Sequence, residues 1–166
     1  MEQIGIILLV LLGGVTILAL FLALTLLFPA AIAKIRRNLE TGLGRSLLLG
    51  LVNFIFFAVL ALVFSRIAEE TGGFVAGVFI FMAAVILLVL TVLIVFGLVS
   101  FANILGERVG GETNPFQSIL RGGTLLLLAG LAPYIGWFIF TPLVIWTGLG
   151  AAISALIRRQ RQEVTE

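Results

Sequence analysis

The side chains that could do chemistry in this chain are few, and their spacing does not assemble them. Every carboxylate is a glutamate, at positions 2, 40, 69, 70, 107, 112, 163 and 166. Only Glu69 and Glu70 are adjacent, and a charge pair on a short polar connection normally stays solvated. Histidine and cysteine are absent. That removes the usual haem and zinc ligands, the usual proton shuttle, and all thiol and disulfide chemistry. No serine inside an apolar run has histidine, lysine or aspartate at its own depth to activate it. No enzyme activity, metal site or cofactor is therefore expected, and an ion-coupled pump would lack its ionisable relay.

Asn53 is the most polar side chain well inside an apolar run. Such an amide either bonds across helices or lines a solute path. Helix packing is the simpler role, because no second amide or carboxylate shares its depth. Thr16, Thr25, Thr91, Thr141 and Thr147 can return their hydroxyls to the preceding helical turn and need no partner. Small residues form three smooth patches: Gly148, Ala152 and Ala155; Gly73 and Gly77; and Ala19 and Ala23. Patches of this kind let helix backbones approach closely, either within the chain or against another subunit.

The elements that carry these residues follow from where charge is missing. All eighteen charged side chains fall outside four stretches, 3–33, 46–65, 71–106 and 122–157. An ionisable group at the centre of a membrane-spanning helix costs roughly 2.5–3.5 kcal/mol on insertion scales, so lipid imposes this pattern. Apolar residues reach 61% and charged residues only 11%, against about 25% charged in soluble domains. The chain therefore reads as an all-α, polytopic transmembrane bundle forming a single domain. A pI near 9.9 rests on a net charge of only +2, which gives no case for nucleic-acid binding. The lipid bilayer is the partner that composition demands.

A hydrocarbon core of about 30 Å needs about 20 residues of helix. The expected spans are 4–33, 46–67, 74–102, 115–132 and 135–157, with the first treated as one long helix and retained as a span, not cleaved. Asn114-Pro115 is a helix start, with Asn as N-cap and Pro at the first helical position. Pro133, Tyr134, Gly136 and Trp137 interrupt the last apolar stretch, which predicts a C-terminal hairpin bent at Pro133–Gly136 with both aromatics at headgroup level. A single kinked helix and a shallow re-entrant pair are the alternatives.

Lys34, Arg36, Arg37 and Arg45 follow the first span, and Arg158-Arg159-Gln160-Arg161 opens the tail. Lys and Arg favour the cytoplasm, so the N-terminus is expected outside and the C-terminus inside. The hairpin satisfies that parity, whereas a kinked helix does not. The glycine-containing connection from Asn103 to Arg121 lacks the lysine and hydroxyl spacing of a phosphate loop and is expected to be a turn or a docking surface. Leu47–Ile55 (LLLGLVNFI) and Leu127–Ile135 (LLAGLAPYI) echo one another, which suggests two parallel hairpin units or a chance match of leucine-rich text.

An arginine, a Leu/Gly-rich span, a long apolar hairpin and a second unit carrying Leu131–Trp137 and Gly148-Leu149-Gly150-Ala151 resemble a prokaryotic membrane domain. That domain is attached to bactofilin-like, polymer-forming cytoskeletal proteins. The resemblance covers about 37–159 and implies a membrane scaffold, although no β-helical bactofilin repeat accompanies it. The leading expectation is a non-catalytic accessory or scaffold subunit of a prokaryotic cytoplasmic membrane, packed against other membrane subunits or copies of itself. One alternative is a small channel or uniporter with a path past Asn53 and the Pro133 bend. The other is a subunit of a pigment- or quinone-containing complex, with Phe54, Phe56, Phe57, Phe79 and Phe81 around a cofactor held mainly by neighbours.

Overall fold

The computed structural model describes residues 2–111 and 114–163, and the side chains of 4–111 and 114–157. Six α-helices follow one another: α1 (Glu2–Leu27), α2 (Pro29–Thr41), α3 (Leu43–Thr71), α4 (Gly73–Gly110), α5 (Pro115–Leu131) and α6 (Thr141–Glu163). A π-helical turn, Gly136–Phe140, leads into α6. Four of these segments, Ile4–Leu27, Leu43–Thr71, Gly73–Gly110 and Gly136–Ile157, are long and apolar enough to cross a membrane. The chain is a helical membrane protein. α5, with 17 residues, would span about 26 Å, a little under one hydrocarbon core.

The first span ends earlier than its composition suggests. The helix breaks at Phe28 and does not run to Ala33. Pro29 has no N–H to donate, and its ring opposes the carbonyl four residues back, so α1 cannot continue through it. Chain 29–41 then forms a separate helix with two faces. Ile32, Ile35, Asn38 and Leu39 are buried, while Lys34, Arg37 and Glu40 are exposed. Apolar positions three and four apart with charges between them suit a helix lying at a membrane surface.

α4 is longer than expected. It runs to Gly110, so the connection expected from Asn103 to Arg121 is mostly helix, and only 111–114 lies between α4 and α5. Thirty-eight residues reach about 57 Å, far more than a hydrocarbon core, so the polar end around Glu107 and Arg108 extends past it. Gly72 and Gly73, at φ 64° and 59°, turn the chain from α3 into α4 in a region that L side chains avoid. Pro115 opens α5 at its first turn as expected, but the Asn114 side chain makes no capping hydrogen bond.

The relative directions of the helices follow from contacts around α2. Arg36 pairs with Glu107 near the end of α4, and Asn38 Nδ2 donates to the carbonyl of Ala151 in α6. Ser118 Oγ donates to the Asn103 carbonyl, which fixes the start of α5 beside the end of α4. So α3 and α5 leave the end marked by α2, and α4 and α6 return to it. α5 and α6 therefore run in opposite directions, as a hairpin requires and a single kinked helix does not. They scarcely touch along their lengths, because α4 packs against both. α3 packs mainly on α6, and α4 mainly on α5.

Candidate functional site

Three backbone crossings hold the bundle together, and each is made of glycine. At the α3–α6 crossing, a Cβ on Gly50 would overlap the Trp146 carbonyl, and one on Gly150 would overlap the Ser46 carbonyl. At the α4–α6 crossing, Gly97 lies directly on Gly148. At the α4–α5 crossing, Gly106 meets the Ser118 carbonyl and Gly122 the Ala102 carbonyl. In lipid no hydrophobic drive separates helix from solvent, so close packing of this kind carries association. Leu149, Ala151 and Val99 fill the space beside these crossings with essentially no exposure.

The small-residue patches divide accordingly. Gly148 and Ala152 are buried inside the chain, and Ala155 is half-buried on a cleft wall. Gly73 serves the α3–α4 turn through its positive φ. Gly77, Ala19 and Ala23 are exposed, and a Cβ at Gly77 would meet nothing within 4 Å. Gly50, Gly97, Gly106, Gly122 and Gly150 do not belong to the three small-residue patches marked in the sequence. A glycine with another small residue four positions before it, as in Ser46–Gly50 and Ala102–Gly106, is the signal that marks some of them.

Polar groups cross between helices at Asn103 and Asn38. Asn103, 4% exposed, donates from Nδ2 to Thr25 Oγ1 at 3.2 Å and to the Val99 carbonyl at 3.1 Å. Asn53, by contrast, is half-buried and donates to Leu49 O of its own helix at 2.8 Å, with no interhelical bond among the described residues. Thr16, Thr25, Thr91 and Thr147 return their hydroxyls to the carbonyl four residues back. The Arg36 guanidinium grips both Glu107 oxygens, at 2.5 and 2.6 Å, and reaches Glu40 at 3.4 Å. The hydrogen bonds that the Arg36 guanidinium donates to Glu107 hold its pKa above the ordinary value, against some desolvation.

Cavities open between the helices. A cleft of about 630 Å³ at the α1–α2 elbow is walled by Phe28, Ala31, Ile35, Phe96 and Ala155, with Lys34 among its lining. A chamber of about 330 Å³ between α3, α4 and α6 is lined by Asn53, Phe57, Leu90, Leu93 and Ile153. None of the described residues that line it belongs to the Pro133–Trp137 bend. A third niche of about 290 Å³ lies beside the α2–α3 turn and the end of α6. It is lined by Asn38, Thr41, Arg45, Ser46 and Ser154, with Leu49 and Ile157 on its rim.

The bend has a defined geometry. Ala132 is extended, at φ −62° and ψ 122°, and Tyr134 is left-handed at φ 61°. Gly136 is buried where a Cβ would overlap the Ala129 carbonyl. Tyr134 and Trp137 are exposed. The π turn that follows has a cause in Pro142, which cannot donate and whose ring opposes a carbonyl in the preceding turn, so that turn widens. Of the phenylalanines, Phe56 packs edge-on against Phe57 and Phe64 lies tilted against Phe79, while Phe81 is exposed. Among the described residues, no three metal-capable side chains come together.

The side chains of Glu2, Glu112, Glu163, Glu166, Arg158, Arg159 and Arg161 lie outside the described residues. Comparison with protein-family models, with curated proteins and with solved structures finds no match to the chain.

Proposed function

We propose that the protein is a non-catalytic membrane subunit whose first helix docks onto other transmembrane helices, from a partner or from a second copy. The observation that carries this reading is the placement of α1. Ile4 to Leu12 are exposed on every side. Further along, α1 meets the bundle by one edge, where Gly14 faces Leu127 and Leu18 and Phe21 face Gly123. The opposite edge carries Ala19 and Ala23 in the open, a spacing that lets a foreign helix approach closely. The non-catalytic part of the reading rests on a chain with neither histidine, cysteine nor aspartate.

The orientation belongs to the same proposal. Lys34, Arg36, Arg37, Arg45, Arg108 and Arg121 gather at the end marked by α2, leaving Arg66 as the described basic residue at the other. Basic residues favour the cytoplasm, so that end faces inward and the N-terminus outward, in a prokaryotic inner membrane. The resemblance to membrane domains of bactofilin-like proteins fits a scaffold role of this kind. Because native cysteine is absent, single thiols at Ala19 and Ala23 can be oxidised in native membranes without background. A discrete cross-linked species, or a stoichiometric companion in mild detergent, is expected. A monomer that neither cross-links nor co-purifies with another subunit defeats the proposal.

A further inference from the structure

The niche beside the α2–α3 turn has features that helix packing does not use. Ser46 is 3% exposed, lines the niche, and its hydroxyl makes no hydrogen bond among the described residues. Asn38, 8% exposed, spends its amide on the Ala151 carbonyl, which leaves the side-chain oxygen as an acceptor. Thr41 and Ser154 donate to Arg37 O and Gly150 O, so they too present acceptors. α3 begins at this point with Gly42 as its N-cap and no capping side chain, while Ser46 N–H is the first bonded back, to Gly42 O. The N–H groups of the first helical turn are therefore left for an outside acceptor. Arg45 lines the same space and has no carboxylate within ion-pair distance among the described residues.

A buried hydroxyl, free backbone donors at a helix start and an unpaired guanidinium together favour an oxyanion with several acceptor oxygens. Among the described residues, no carboxylate lines the niche to repel one. The acceptors on Asn38, Thr41 and Ser154 suit hydroxyls carried on the same ligand, and the apolar rim of Leu49 and Ile157 suits the start of an acyl chain. We propose that the niche formed by Asn38, Arg45, Ser46 and Ser154 binds a phosphate group. Two sources present that chemistry at a membrane surface: the headgroup of an anionic glycerophospholipid and a free phosphate.

The test uses the full-length protein in mild detergent, with phosphatidylglycerol retention read by native mass spectrometry at about 0.3 M salt, where exposed charges are largely screened. Ser46→Ala changes no charge and is expected to weaken retention about three- to tenfold, one hydrogen bond's worth. Arg45→Gln is expected to weaken it about tenfold or more, as loss of a charge-assisted bond does. Arg37→Gln removes an equal charge outside the niche and is expected to change it by less than about twofold under screening. Circular dichroism confirms that each variant keeps its helices. Inorganic phosphate is then added as competitor: displacement assigns the site to free phosphate, and persistence assigns it to the lipid headgroup. The proposal is overturned if neither probe binds, if Ser46→Ala and Arg45→Gln bind like the parent, or if Arg37→Gln loses as much as Arg45→Gln.

Discussion

Adding one methyl group at Gly150 should do more damage than any comparable change on the outside of the bundle. A Cβ at Gly150 would overlap the Ser46 carbonyl and the Gly50 amide, both of them backbone that cannot rotate away. To restore ordinary contact α3 and α6 must draw apart by about 1.5 Å, and a gap of even 0.5–1 Å forfeits roughly a quarter to a half of each van der Waals well. Overpacking of this kind costs about 1–3 kcal/mol. Alanine recovers up to about 1 kcal/mol through its better helix propensity, which leaves Gly150→Ala destabilised by about 0–2 kcal/mol, and by about 1–3 kcal/mol relative to the same change at an open helical glycine. Gly77→Ala provides the matched control, since it sits in a helix with nothing within 4 Å of its Cβ. It should be neutral or slightly stabilised. Unfolding by increasing denaturing detergent, followed by far-ultraviolet circular dichroism, measures the difference. Gly50→Ala combined with Gly150→Ala should cost less than the sum of the two, because the first methyl already parts the helices. Equal stability of Gly150→Ala and Gly77→Ala would refute the reasoning that backbone contact holds this crossing.

Three further outcomes are expected. Arg36→Gln should destabilise by about 1 kcal/mol, modest because both partners are partly exposed, and added salt should shrink the gap between variant and parent in the same unfolding assay. At Tyr134, held at φ 61°, Tyr134→Ile should cost about 1–2 kcal/mol because a β-branched residue resists that conformation, whereas Tyr134→Asn should be tolerated; thermal unfolding in detergent distinguishes them. Single thiols at Gly73 and Tyr134 should react with an impermeant reagent from one side of sealed membranes and a thiol at Asn114 from the other. Labelling of Tyr134 and Asn114 from the same side would remove the full crossing of the last hairpin.

The spans were legible in the sequence because lipid excludes charge over long uninterrupted runs, a signal that needs no knowledge of neighbours. The break at Pro133 was legible for a similar reason: proline and glycine act on their own backbone. Features that depend on neighbouring elements were less legible. Pro29 falls inside the stretch 4–33 that reads as one long span, yet the amphipathic spacing of Ile32, Ile35 and Leu39 marks a new helix after it. Asn103 was assigned to a polar connection because Glu107 and Arg108 follow it, but those charges ride on a helix that outruns the hydrocarbon. The crossing glycines were hard to rank, since nineteen glycines offer many candidates and only the facing helix decides which are needed. Ser46 carried a packing signal through its spacing to Gly50, but no signal of a binding role. An isolated serine normally satisfies itself within its own helix, and its unpaired hydroxyl is a property of the folded niche.

Crossings made of bare backbone divide the chain into positions of very different freedom. On the outward faces, leucine, isoleucine, valine and phenylalanine are nearly interchangeable, since the surrounding acyl chains adapt to any of them. At Gly50, Gly97, Gly122 and Gly150 no substitution is volume-neutral. Descendants of this protein are therefore expected to drift quickly in most of their letters while keeping a sparse skeleton of glycines at fixed intervals, so that kinship between distant members would survive in spacing long after it had faded from overall identity.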